Sequence, residues 1–300
     1  MATHRDEEII PANGIKICTD AFGNRDDPAL LLIMGAGCSM IHWDEVWCHR
    51  LADGRRFVIR YDNRDTGRTT SLPAGECNYS FQDMADDAVA VLDHYDIDKA
   101  HIVGQSMGGI ITQLVGLNHP DRVLTLTPIM TTPNPGALTG AADSQSETEE
   151  LSSADAVRAR RAAPQPSEMP DREAILDREA ILASVPAMLE SAVGSAHPLE
   201  VERMCDIISR DFDRSISYMS SQNHGMVFAS SEPFLDRLGT ISVPTLVIHG
   251  TEDPIVPYDH GQAIADGIPG AVLLTMTGVG HWLPRPEYDR LVAAILEHTS

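Results

Sequence analysis

The sequence predicts an α/β fold: a mostly parallel central sheet with helices on both faces and a helical insertion late in the chain. Two observations carry this. Short apolar runs ending in glycine alternate with helix-period stretches up to about residue 130, and the same alternation returns after residue 230. The stretch between follows a helical pattern instead. The expected division is therefore a core of residues 1–130 and 231–300 with a cap, or lid, at 131–230.

The elements follow in order. "ALLLIM" (Ala29 to Met34), "RFVIRY" (Arg56 to Tyr61) and "HIVG" (His101 to Gly104) are runs of the kind parallel strands make when buried on both faces. Between the last two, Ser80 and Asp83 form a capping box, and Met84, Ala88, Val91, Leu92 and Tyr95 recur at helical spacing beyond it. "MGGIITQLVGLNHP" reads as a helix closed by Pro120, because the residue before a proline resists helical dihedrals. "VLTLT" follows as a strand. From Thr131, "TTPNPGALTGAADSQSETEE" has loop composition. The tandem "DREAILDREAIL" (Asp171 to Leu182) favours helix, but a six-residue repeat turns through about 600° and cannot keep one face. "VPTLVIHG" and "AVLLTMTG" then restore the strand pattern, with the helical "YDHGQAIADGI" between them.

Composition narrows the function. A net charge of −22 would be repelled by nucleic acid or an anionic membrane, so a small-molecule partner is expected. The five cysteines are odd in number and contain no C-x-x-C, which reads as reduced thiols in a cytoplasmic protein. "MATHRDEEII" has no apolar signal core, and no run of about 18 apolar residues exists to span a bilayer. No H-x-E, H-E-x-x-H or P-loop pattern occurs, so no metal or nucleotide cofactor is expected.

"HIVGQSMGGI" carries the chemistry. Gly104-Gln105-Ser106-Met107-Gly108 is a G-x-S-x-G, a pattern chance places in roughly one 300-residue chain in ten. Its setting makes it specific: a strand ends at Val103 and a helix holds Ile110, the sharp turn that lifts a serine hydroxyl over a sheet. Serine needs an imidazole base oriented by a carboxylate. "LVIHGTEDPIVP" offers Asp253, with Glu252 as a rival, and "LLTMTGVGHWLP" offers His281, each just past a strand. Ligands of open parallel sheets bind at those carboxyl ends. His249, inside a strand end, reads as a packed residue. Two backbone N–H groups complete the site as an oxyanion hole, Met107 after the serine and Ala36 in "IMGAGCSM". "RYDNRDTGRTT" (Arg60 to Thr70) reads as a structural turn with internal salt bridges.

Together "IMGAG", "YDNRDTGRT", "GQSMGG", "HGTEDPIVP" and "GVGHWLP" make the chain resemble the α/β-hydrolase superfamily over nearly its whole length. Met-Gly before the oxyanion residue, with "RYDNRDTGRT", is similar to the aclacinomycin methylesterase group and its carboxylesterase relatives. That resemblance implies an α/β-hydrolase fold, a serine ester hydrolase and an apolar, polyketide-type methyl ester as substrate. It assigns Ser106, Asp253 and His281 as triad, and Ala36 and Met107 as oxyanion donors. Lactonase, C–C bond hydrolase and cofactor-free perhydrolase chemistry would use the same triad, and a ligand-binding protein on this fold is a further alternative. An Asp-nucleophile epoxide hydrolase or dehalogenase is disfavoured by Ser106. The methionines of the insertion (Met188, Met204, Met219, Met226) are candidates either for pocket lining or for packing.

Overall fold

The computed structural model describes residues 3–139 and 178–300. Eight strands make one sheet: β1 (His4–Ala12), β2 (Ile15–Phe22), β3 (Ala29–Ile33), β4 (Phe57–Tyr61), β5 (Ala100–Gln105), β6 (Val123–Ile129), β7 (Leu246–Gly250) and β8 (Val272–Met276). Their spatial order is β1-β2-β4-β3-β5-β6-β7-β8. From β4 to β8 every neighbour is parallel, whereas β1 and β2 form an antiparallel hairpin on one edge. Asn13 and Gly14 turn that hairpin with positive φ at both positions (46° and 78°), the conformation that matches the twist of paired strands.

Alternation along β3 builds two cores. Leu31 and Ile33 face one side, where they pack with α2 (Phe81–His94) and α3 (Met107–Asn118). Leu30 and Leu32 face the other, against α1 (Glu45–Asp53) and, later in the chain, the helix Tyr288–His298. α2 opens with the reciprocal Ser80/Asp83 capping box. α3 is buried on nearly all sides and ends at Asn118, ahead of Pro120.

Between β6 and β7 lie α4 (Arg178–Ala192), α5 (Val201–Arg214) and α6 (Asn223–Ala229). The second copy of the tandem repeat enters α4 at Arg178; the first copy lies outside the described residues. α4 and α5 share a small core of Val185, Leu189, Val193, Met204 and Ile208, so Met204 is packing. Met188 and Met226 are exposed. α7 (Tyr258–Gly267) and α8 (Tyr288–His298) complete the chain. Among the described residues no helix is long and apolar enough to cross a membrane.

One ion pair ties the hairpin to the parallel sheet. Arg60 on β4 is 2% exposed and donates from Nε and Nη2 to the two oxygens of Asp20 on β2, both at 2.8 Å. Its third arm donates to the carbonyl of Trp43, and the guanidinium lies 4.9 Å over the Phe22 ring. Every charge in this pair has a partner, the condition under which a buried pair is tolerated. Asp20→Asn leaves the guanidinium uncompensated and is expected to cost about 3–5 kcal/mol, read as a lower urea midpoint at unchanged slope. A midpoint unchanged from wild type would refute this role.

Candidate active site

The site is built at the carboxyl ends of β3, β5, β7 and β8. Ser106 follows β5 directly and has φ 55° and ψ −118°, a left-handed backbone costly for a residue with a side chain. Close packing imposes it. A Cβ on Gly104 would stand 2.1 Å from the Gly108 carbonyl oxygen, and one on Gly108 would stand 2.1 Å from the Ile33 carbonyl oxygen. Both glycines of the motif are therefore required by backbone meeting backbone. The elbow is tied at every polar group. Ser106 N–H donates to Ile129 O at 2.8 Å, and its carbonyl accepts from Gly109 N, Ile110 N and the Thr131 hydroxyl.

His281 sits in the loop after β8, with its Nε2 2.9 Å from Ser106 Oγ and its Nδ1 2.7 Å from Asp253 Oδ2. The Asp253 carboxylate is fully buried, and its other oxygen accepts the Ile255 and Val256 N–H groups at 2.9 and 2.8 Å. A carboxylate that only accepts orients the ring with Nδ1–H toward Asp253, leaving the Nε2 lone pair to face the serine hydroxyl. Glu252, the rival carboxylate, turns away and binds Ser195 through N–H and hydroxyl at 2.7 and 2.8 Å. His249 is buried behind the pair and donates from Nε2 to Val256 O; burial holds its ring below the ordinary value, hence neutral.

Two anchors hold the His281 loop. The carbonyls of Ala192 and Val193, at the end of α4, accept the N–H groups of His281 (2.6 Å) and Gly280 (2.7 Å). These are helix-end carbonyls that lack an intrahelical partner. From the sheet side, Gln105 Nε2 donates to the His281 carbonyl at 3.0 Å.

The loop after β3 brings Gly35 against the serine: a Cβ there would lie 3.2 Å from Ser106 Cβ. Asn63 fixes its start by donating to Met34 O at 2.9 Å. Gly37, at φ 75°, donates its N–H to Nδ1 of His224 on α6 at 3.1 Å, while His224 Nε2 donates to Arg64 O at 2.8 Å. Gly37 N–H is thus spent, and Ala36 precedes it in the same turn. Met107 N–H opens α3, where the first donors of a helix have no i−4 partner. Burial lowers His224 from its ordinary 6.5, so the neutral ring and its Gly37 bond persist below that pH and fail only through the depressed value.

"YDNRDTGRTT" differs from expectation in where its ion pairs go. Asp62 pairs with Arg214 on α5 at 2.9 Å, Arg64 grips Asp87 on α2 at 2.6 and 2.8 Å, and Arg68 reaches Glu7 on β1 at 3.0 Å. The turn's own carboxylates also take backbone donors, from in or beside the turn and from the segment after β3. Asp62 accepts Met40 N and Arg68 N, and Asp65 accepts Leu72 N. Gln105, Thr131, Asn63 and His224 were not identified from the sequence. Each acts through a main-chain group of a distant segment, which no spacing reveals.

A serine on a strand–turn–helix elbow, faced by a carboxylate and an imidazole from the loops after the last two strands, defines the α/β-hydrolase architecture. The family model for the α/β hydrolase fold matches residues 28–284, and the chain belongs to that family. Rhodomycin D methylesterase DauP of Streptomyces sp. (strain C5) is 33% identical over 307 residues, covering 97% of both chains. Rhodomycin D methylesterase DnrP of Streptomyces peucetius is 31% identical at the same coverage. Among solved structures, a hydrolase of Pseudomonas aeruginosa PA01 superposes with a TM-score of 0.70 at 24% identity, covering 98% of each chain.

His224→Ala removes the acceptor of Gly37 N–H. Amide exchange at Gly37 is expected to quicken about tenfold, the equivalent of one hydrogen bond, while β-strand amides keep their protection. Mass-resolved exchange that left the Gly37 segment as slow as in wild type would dismiss the anchor.

Proposed function

We propose that this protein is a serine hydrolase of carboxylic esters, with Ser106 as nucleophile, His281 as general base and acid, and Asp253 as the group that orients the ring. The observation that carries the reading is the unbroken relay from Ser106 Oγ through both nitrogens of His281 to Asp253, at 2.9 and 2.7 Å. His281 Nε2 takes the hydroxyl proton as Oγ attacks the ester carbonyl, then delivers it to the departing alcohol. Water repeats the sequence on the acyl-enzyme. Negative charge developing on the carbonyl oxygen falls to the N–H groups of Met107 and Ala36. The commitment of Gly37 N–H to His224 supports Ala36 as the donor from its loop.

The substrate is a methyl ester on a bulky, apolar, polyketide-type acid. Likeness to two rhodomycin D methylesterases over nearly the whole chain supports this choice. Residues 131–230 act as the cap that shapes the acyl pocket, and their described helices already reach the His281 and Gly37 loops. The protein works in the cytoplasm on a small molecule and needs no cofactor.

Ser106→Ala is expected to lower ester hydrolysis by about 10⁴–10⁶, and Asp253→Asn by about 10⁴, through loss of the productive tautomer. The assay is a panel of p-nitrophenyl, simple methyl and polycyclic methyl esters set beside lactones. Full turnover by Ser106→Ala would sink the mechanism. A preference for lactones over every methyl ester would sink the substrate assignment and leave the mechanism standing.

A further inference from the structure

Two side chains on one face of α5, Asp211 and Arg214, reach the loop after β3. Asp211 is 2% exposed, and its Oδ2 accepts the Ser39 N–H at 3.2 Å. The same oxygen lies 3.0 Å from Nε2 of His42, so one carboxylate holds the segment Ser39–His42 at both ends. Its Oδ1 accepts the Ser215 hydroxyl at 3.3 Å, which fixes the carboxylate against its own helix. Arg214 acts on the next residue. It donates from Nη1 to Asp62 Oδ1 at 2.9 Å, and that oxygen also accepts the Met40 N–H at 2.8 Å. Two consecutive main-chain donors are therefore held from α5, one directly and one through Asp62. Burial alone would raise the Asp211 carboxyl; the bonds from His42 and Ser39 outweigh it and hold the group below its ordinary value, an anion at neutral pH.

At Gly37 the loop borders open space: a Cβ there would have no heavy atom within 4 Å, so hydrogen bonds set its course. Upstream, Gly35 lies against Ser106, and Asn63 fixes the Met34 carbonyl. Downstream, the fixed points are Gly37 N–H on His224, Ser39 N–H on Asp211 and Met40 N–H on Asp62. Two of these three acceptors are carboxylates, and a charge-assisted bond is roughly twice as strong as a neutral one. Ala36 lies between the upstream and downstream sets, so its N–H takes its direction from both.

We propose that Asp211 is a positioning residue for ester hydrolysis, fixing the loop after β3 so that the Ala36 N–H meets the carbonyl oxygen that turns negative when Ser106 attacks. The positioning role rests on the ester-hydrolase reading above; the anchoring of the loop does not. An oxyanion donor has to stand about 2.7–3.1 Å from where the charge develops, and it acts in the transition state more than in the ground state. Slack in the loop therefore lowers kcat and leaves KM nearly unchanged. A displacement of about 1 Å can cost about 10²-fold. Asp211 acts through the main chain of Ser39 and the ring of His42, not by touching the ester.

The test compares wild type, Asp211→Ala, Asp211→Asn and Ser39→Pro on one ester the wild type hydrolyses. A trifluoromethyl ketone with the same acyl group, to whose carbonyl Ser106 adds, is measured beside it. Asp211→Ala is expected to lower kcat about 10–100-fold with KM within about twofold, and to weaken the ketone by the same factor. Asp211→Asn keeps an oxygen for the Ser39 N–H and is expected to stay within about threefold of wild type. Ser39 has φ −79°, which proline adopts, so Ser39→Pro deletes the donor and leaves Asp211 paired with His42. It is expected to match Asp211→Ala and stands in for it if that variant does not fold. Amide exchange over residues 35–38 is expected to quicken about tenfold in both, with β-strand amides unchanged. Unaltered exchange overturns the anchor even if no ester is turned over. Equal loss of kcat in Asp211→Ala and Asp211→Asn, a rise in KM at unchanged kcat, or full kcat in Ser39→Pro overturns the positioning role and leaves the chemistry at Ser106 standing.

Discussion

The left-handed backbone of Ser106 is the constraint from which the rest of the active edge follows. A side-chain-bearing residue held there stores about 1–3 kcal/mol that its surroundings must offset. They do so with the bond from Ser106 N–H to Ile129 and three donors onto its carbonyl, one of them the Thr131 hydroxyl. The same sharpness drives α3 onto β3 until Gly108 meets the Ile33 carbonyl, which leaves no room for a side chain. Gly35 is small for a related reason, since its Cα faces Ser106 itself. Geometry at one residue thus dictates composition at three glycines on three segments.

Charge is arranged on a second principle. A chain with net charge −22 has acid to spare, and arginine supplies nearly every strong base, with lysine only at positions 16 and 99. Buried and half-buried arginines are spent where segments distant in sequence meet: Arg60 joins β4 to β2, Arg64 joins its turn to α2, and Arg214 joins α5 to Asp62. A planar guanidinium bound through two nitrogens fixes orientation as well as distance, which a lysine in the same place would not. "YDNRDTGRT" is consequently a junction between β1, α2, α5 and the loop after β3.

Much of the fold was legible because the inner parallel strands are buried on both faces and therefore read as continuous apolar runs. β1 was not: six of its nine residues are exposed, and "HRDEEIIPA" has neither alternation nor an apolar run, although Asn13-Gly14 marks the turn behind it. The residues proposed as a triad were legible because chain order and strand ends constrain them. His224 and Gln105 were not, because they act only through main-chain groups 160 or more residues away. "NHG" in a helical stretch carries no mark of that. The ion pairs of "YDNRDTGRT" were legible as pairs but not as to partner, since a partner supplied by tertiary packing leaves no local pattern.

The grip of Ala192 and Val193 on the His281 loop has a mechanical meaning. Because the last carbonyls of α4 hold the peptide that carries the imidazole, α4 cannot hinge away while the ring keeps its station. Under the mechanism proposed above, displacing that end would take His281 out of line with Ser106. In that mechanism α4 is an interlock: proton transfer at Ser106 requires the end of that helix to be in place.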